Sequence, residues 1–294
     1  MVGEKTFSRR IFQISNAVFF FIVCVACLMP IIQVLSISLS SSAAVAAGRV
    51  ILLPSELTFR SYEHILRREE FWQAMGISSV RVFLGVSFGM LMTILMAYPL
   101  SKPSSVFCAR TVLMWLLIFT MLFSGGIIPT FMIVKYTGLM NNILSLVIPS
   151  SIQAFNIILL TNFFRAIPRD LEESAYMDGA GSFRILFSLY VPLSLPALTT
   201  LIVFTMVFHW NSWFDGLIYM TDARLYPLQT FLQTILVTPN LTMVTRATAE
   251  LMRVVSDRTL MAAQIFVAAI PICLLYPFLQ RYFVAGIMLG GVKE

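Results

Sequence analysis

The chain has 294 residues, of which 59% are apolar and only 12% charged, with a net charge of +6. Soluble domains carry about 25% charged residues, so at a mean hydropathy of +0.87 a soluble fold would lack the polar surface to cover itself, and the bilayer must be part of the solvent. The basic excess does not imply nucleic acid, because these residues scatter around the ends of apolar runs, where they orient a membrane protein.

A membrane-crossing helix needs roughly 20 mainly apolar residues. Six such spans are predicted, at 14–38, 73–100, 108–134, 142–165, 191–218 and 259–282. The first follows Lys5, Arg9 and Arg10, is too long for a signal peptide and lacks a small-residue cleavage site. The chain therefore divides into a terminal segment 1–13, a six-span domain 14–282 and a tail 283–294. Two polar stretches, Ser40 to Phe71 and Thr221 to Arg258, separate the first two and the last two spans. An even number of spans places both termini in one compartment. That side holds Lys5, Arg9, Arg10, Lys102, Arg110, Arg165, Arg169, Arg184, Arg281 and Lys293, half of the 20 basic residues, in short segments. The other ten are assigned to the two long loops. Basic residues near span ends in short loops count most, which favours cytoplasmic termini.

Pro129, Pro149, Pro196, Pro271, Pro277 and the pair Gly125-Gly126 punctuate the spans. Such breaks persist where neighbouring helices or a water-filled cavity satisfy the freed backbone, as in a transport pathway. Enzymatic motifs dissolve on inspection. Gly85-Val86-Ser87-Phe88-Gly89 matches a nucleophile elbow, but it lies in an apolar helix, where Gly85 and Gly89 form a small-xxx-small packing face. Cys24 and Cys27 have metal-site spacing without a second pair or a nearby histidine, and read as packing residues. With His64 and His209 the only histidines and no phosphate loop before any lysine, no catalytic, metal or nucleotide site is expected in this chain.

The most informative segment is 167–192, IPRDLEESAYMDGAGSFRILFSLYVP. Four of the chain's 14 acids, Asp170, Glu172, Glu173 and Asp178, crowd into it between two spans. It reads as two short helices. Pro168 suits a first helical position, and Asp170, Glu172 and Glu173 place charge where the dipole favours it. Leu171, Ser174, Ala175 and Asp178 fall on one stripe, and Gly179 can end the helix in the left-handed conformation. Ser182 can cap a second helix whose Phe183, Leu186, Phe187 and Tyr190 recur at helical spacing. An apolar stripe with an acidic rim is a docking element.

Glu173-Ser174-Ala175, three residues, Gly179, nine residues, Leu189, then Val191-Pro192 resembles the signature loop of ABC-importer permeases. That loop reads Glu-Ala-Ala, three residues, Gly, nine residues, Ile, one residue, Leu-Pro. The surrounding 177–198, together with 123–130, 155–168, 209–220, 225–229 and 280–294, is similar to the carbohydrate branch of that family, closest to importers of oligosaccharides and polysaccharide fragments. The resemblance implies an all-α polytopic fold of the type I importer class in a bacterial cytoplasmic membrane. It also implies a second permease, an ABC ATPase dimer that holds the ATP and Mg, an extracytoplasmic solute-binding protein and a sugar as partners. The chain itself would bind no cofactor. Asp170, Leu171, Glu172, Glu173, Ser174, Ala175, Asp178, Gly179 and Phe183 would couple to the ATPase. In that role Glu173 meets a basic or hydrogen-bonding group, Ala175 allows close approach and Gly179 permits the turn. The Val292-Lys293-Glu294 tail would also reach the ATPase pair.

Polar groups inside spans usually face a cavity or a partner helix, and aromatic faces suit sugar rings. Gln153, Asn156, His209, Trp210, Asn211, Trp213 and Asp215 are therefore candidates for the substrate pathway, with interfacial anchoring the alternative for the tryptophans. Arginines in the outer loops (Arg49, Arg60, Arg67, Arg68, Arg224, Arg246, Arg253, Arg258) suggest an acidic glycan, although nearby acids such as Glu250 nearly balance them. A permease for another solute and an ATP-independent secondary transporter remain the alternative readings. The second would more often bury paired acids, and spans one to four contain none.

Overall fold

A computed structural model describes the backbone of residues 7–237 and 257–291 and the side chains of 11–234 and 258–274. Lys5, Arg246, Glu250, Arg253 and the Val292-Lys293-Glu294 tail lie outside the described residues. Among the described residues the chain is helical throughout, with no strand. In chain order the α-helices are α1 (Phe7–Ser38), α2 (Ser42–Ala46), α3 (Arg60–Leu66), α4 (Glu69–Ser101), α5 (Arg110–Leu122), α6 (Ile127–Tyr136) and α7 (Ala154–Ala166). There follow α8 (Arg169–Met177), α9 (Ser182–Ile185), α10 (Val191–Leu193), α11 (Leu195–Asn211), α12 (Phe214–Tyr219), α13 (Leu228–Val237) and α14 (Asp257–Gly291).

Among the described residues, α1 and α4 are the two single uninterrupted helices long and apolar enough to cross a bilayer. Three further predicted spans are bent pairs: α5 with α6 at 115°, Ile143–Ser150 with α7 at 50°, and Ser182–Leu193 with α11 at 83°. The described side chains of α14, Arg258–Leu274, form an apolar stretch within a helix that continues to Gly291. The expected breakers sit at these bends. Gly125 and Gly126 separate α5 from α6, Pro149 lies in the 3₁₀ turn before α7, and Pro129 and Pro196, which have no N–H to donate, lie in the first turns of α6 and α11. Pro271 and Pro277 instead lie inside α14, as Pro30 and Pro99 do inside α1 and α4. Apolar composition sees length but not direction, so a sharply bent span reads as a straight one.

The chain forms two compact units, Met1–Glu69 with Leu236–Ile270, and Glu70–Ile235 with Pro271–Glu294. In the first, every described side chain of α1 from Ile11 to Gln33 is exposed, as an apolar helix facing lipid must be. Its far end is tied by polar contacts: Ser36 Oγ donates to Leu52 O at 2.6 Å, Ser38 bonds the Tyr62 hydroxyl at 2.6 Å, and Ser41 caps α2. In the second unit the main core joins α4, α7, α9 with the turn after it, and α11 through Met90, Ala97, Tyr98, Leu160, Phe164, Ile185, Leu186, Tyr190 and Leu201. Lipid tails are as apolar as leucine, so inside the bilayer close packing and buried hydrogen bonds hold helices together, not burial from water.

The stripe Ser78, Arg81, Gly85 and Gly89 is the buried face of α4. Gly85 lies so close beneath the His209 ring that a Cβ there would collide with it, and Gly89 faces Thr205. The small-residue face predicted from the sequence is thus where α11 approaches α4. Arg81 requires a correction. Counted from the sequence among outer-loop charges, it is fully buried inside α4, and Lys135 lies in the last turn of α6.

Candidate functional site

The segment 167–192 folds as two helices around a tight turn. Helix α8 starts at Arg169, so Pro168 precedes the helix rather than opening it. Asp170 and Glu172 occupy the first turn, at the positive end of the dipole. The helix ends as expected: Gly179 has φ +79°, its N–H donates to Tyr176 O at 2.9 Å, and the Ala180 N–H donates to Ala175 O at 3.0 Å. That pair of bonds is a Schellman cap, which satisfies two otherwise orphaned carbonyls and needs a left-handed residue at Gly179. Ser182 does not cap the second helix. It is the first helical residue, and Gly181 holds the cap position without a side-chain bond. The helix then loosens into one π turn, Leu186–Tyr190, an irregularity common at functional positions.

Glu172 fastens α8 to the body of the chain. Lys102 Nζ, just after α4, donates to Glu172 Oε1, and the Tyr190 hydroxyl donates to Oε2 at 2.6 Å. Lys102 also donates to the Tyr190 hydroxyl at 3.0 Å and lies over the rings of Tyr98 and Tyr190, 4.1 and 4.3 Å from their centroids. Burial would raise the Glu172 carboxyl, but the hydrogen bonds from Lys102 and Tyr190 and the Lys102 charge outweigh it and hold the pKa below the usual carboxylate range. The sequence marked Glu172 as one of four crowded acids and, by resemblance, as a coupling position, and Lys102 only as an orienting charge. Nothing in their spacing, 70 residues apart, links them.

The two faces of α8 differ sharply. Ala175 turns inward, partly buried against the core of Tyr98, Phe164 and Tyr190, so the close approach that its small side chain permits is to the chain's own core. Leu171, Glu173, Tyr176 and Asp178 are exposed, Met177 is 88% exposed and Phe183 72%. Ser174 is also exposed and returns its hydroxyl to Asp170 O at 2.8 Å. The predicted second stripe divides as well: Leu186 and Tyr190 are buried, while Phe183 and Phe187 are not. What remains outside is an apolar surface with acidic residues beside it.

The intramembrane polar residues form a second cluster. Arg81 makes a two-point ion pair with Asp215 and donates to Ser212 O at 3.0 Å. Asp215 Oδ1 also accepts from Gly216 N at 2.9 Å. Nearby, Ser78 Oγ accepts from Leu228 N, and Thr230 Oγ1 donates to Trp213 O, both at 2.7 Å. Asn156 bonds Gln153 and Thr205. Of the pathway candidates, Asn156, His209 and Trp210 are buried, Gln153 and Asp215 are half-buried, and Asn211 and Trp213 are exposed. Arg81 could have been found in the sequence, since a lone cation in an apolar helix needs a partner. Asp215, the acid closest to span five's polar run, is that partner.

No family model matches the chain. It is 35% identical over 285 residues to the polygalacturonan/rhamnogalacturonan transport system permease protein YtcP of Bacillus subtilis, covering 97% of this chain and 99% of that protein. It is 34% identical over 290 residues to the protein LplC of the same organism, covering 99% and 97%. Its fold superposes on a chain of a bacterial ABC transporter involved in the import of the acidic polysaccharide alginate, with a TM-score of 0.87 at 35% identity, over 96% of this chain and all of that one. Near-complete coverage at that identity, on an all-helical chain with lipid-length apolar passages, makes this an integral membrane protein of the ABC-importer permease family for oligo- and polysaccharides, a transport subunit and not the ATPase of its system.

Proposed function

We propose that the chain carries acidic, uronate-containing oligosaccharides inward, and that a partner ATPase drives it through the loop 167–190. The observation that carries the coupling role is the two-sided α8. One face is locked to the permease by Glu172, and the other presents Leu171, Met177 and Glu173 to a partner, with Phe183 exposed on α9 beyond the turn. A lever needs both, because a helix free on its inner side would absorb a push instead of passing it on. Asp170, Ser174 and Asp178 rim the outward face, Ala175 seats the helix, and Gly179 sets the angle to the next. Because such a partner is cytoplasmic, the same reading puts both termini inside. A second permease, an ATPase dimer and an extracytoplasmic solute-binding protein complete the importer.

Substitution of Gly179 by aspartate tests the coupling role. Any side chain at φ +79° is strained, roughly 1 kcal/mol, which is too little to unfold the protein but enough to displace the cap. The variant is expected to reach the membrane at wild-type level with uptake and substrate-stimulated ATP hydrolysis abolished. Full transport would refute the coupling role.

The acidic substrate is supported by what YtcP and the alginate importer are named for, and by Arg49, Arg60 and Lys135. These three are exposed and, among the described residues, have no acidic partner. Asn211 and Trp213 are the pathway candidates with surface to offer a sugar. Vesicles containing the complete importer are expected to take up an oligogalacturonate or oligoalginate in preference to a neutral maltooligosaccharide of equal length. Equal or better uptake of the neutral sugar would overturn the acidic assignment while leaving the coupling role standing.

A further inference from the structure

Behind the coupling helix a cleft of about 230 Å³ is lined by Lys102, Arg110, Arg165, Arg169, Glu172 and Tyr190, among others. Its charge does not balance. Glu172 is taken by Lys102 and Tyr190, which leaves three guanidinium groups. Among the described residues no acid pairs with any of them. Arg165 Nη2 donates to Leu100 O at 3.1 Å, but Arg110 Nε is buried with no hydrogen-bond partner. Cations lining one cleft repel one another even where, as at Arg165 and Arg169, they are exposed, and a buried N–H without an acceptor is rare in a native structure. Both features describe a site built around an anion.

The residues also define its depth. Lys102 follows the last residue of α4, Arg110 opens α5, and Arg165 is the penultimate residue of α7. The cleft therefore lies where three helices leave the hydrocarbon, at the level of lipid headgroups. Guanidinium forks match phosphate oxygens in pairs, and basic pockets between span ends on the cytoplasmic side suit anionic headgroups. We propose that this cleft binds a phosphate-bearing anion, the phosphodiester headgroup of an anionic phospholipid, which neutralises Arg110, Arg165 and Arg169 directly behind the lever. Only the assignment to the cytoplasmic leaflet rests on the coupling reading.

The test uses the purified importer complex in a neutral detergent, without ATP or sugar, so its outcome is independent of coupling. Phosphatidylglycerol, phosphatidylcholine or inorganic phosphate is titrated in turn, and bound lipid and the unfolding temperature are measured. Phosphatidylglycerol is expected to bind and raise the unfolding temperature, with phosphatidylcholine inert. The Arg110→Gln/Arg165→Gln variant should bind phosphatidylglycerol about tenfold more weakly, since two charge-assisted contacts are lost. Arg49→Gln, far along the chain in an exposed loop, should bind as wild type does. If the double variant does not accumulate, Arg169→Gln, at an exposed position, is expected to show a smaller loss of affinity in the same direction. Equal stabilisation by phosphatidylcholine, or unchanged affinity in the cleft variants, would overturn the site. Stabilisation by inorganic phosphate without any by phosphatidylglycerol would overturn the lipid as its source.

Discussion

Replacing Arg81 with alanine is expected to destabilise the permease by about 3 kcal/mol, the low end for breaking a buried ion pair. The low end applies because the Arg81 side chain is fully buried but Asp215 keeps 23% of its side-chain surface exposed, so the orphaned carboxylate can recover some solvation. Ser212 O loses a donor as well. The loss should appear as a drop of several degrees in the unfolding temperature of the detergent-solubilised protein and as reduced accumulation in the membrane. The diagnostic variant removes both charges. Arg81→Met/Asp215→Leu is expected to recover most of the stability, because a buried pair exchanged for apolar residues of similar size often costs nothing. If it transports normally, the pair is only a brace. A stable double variant with impaired uptake would mean that the charges also serve the pathway, where Trp213 and Asn211 lie beside Asp215 in sequence. If Arg81→Ala unfolds at the wild-type temperature, the ion pair does not hold α4 to α12.

Much of this architecture was legible because its signals are local. Spans announce themselves by apolar length, and Gly179 by its place after an acidic amphipathic turn. Gly85 and Gly89 announce themselves by spacing on an apolar helix. What was not legible depends on direction or on distance in sequence. The 115° and 83° bends change no composition. The partnership of Lys102 with Glu172 joins residues 70 apart, and that of Arg81 with Asp215 joins residues 134 apart. The inward orientation of Ala175 stayed open for a related reason. Small side chains permit close approach on either face of a helix, and only the packed core says which face is in use. The polar residues of span five show the same limit. His209 and Asn211 are two positions apart and equally polar on paper, yet one lies under α4 and the other outside.

If α8 is the lever proposed above, conversion of Glu172 to glutamine should separate its anchoring from its contact with the ATPase. The amide keeps the shape and can still accept from Tyr190, but it leaves the Lys102 ammonium enclosed by two tyrosine rings without its counter-charge. The two side chains are only 11% and 13% exposed, so roughly 2–3 kcal/mol of local stability is at stake, at or below the range for breaking buried pairs. Unlike Gly179→Asp, this change leaves the outward face of α8 intact. The ATPase should therefore still co-purify and hydrolyse ATP at its basal rate, while stimulation by the loaded solute-binding protein falls about tenfold. Glu172→Asp, with the charge kept on a shorter stem, should lie between. Acid should imitate the glutamine variant in the wild-type protein. The folded-state pKa of Glu172 is depressed, so its contribution is complete above the ordinary glutamate value and disappears as pH falls through the lower, folded value. Hydrogen exchange of the α8 amides is expected to accelerate in that window in the wild type and to show no such step in Glu172→Gln, where no carboxyl remains to titrate. Were Glu172→Gln to retain full stimulation, the clasp would be a folding contact only, and the push would have to pass through the packed faces of Ala175 and Tyr190 instead.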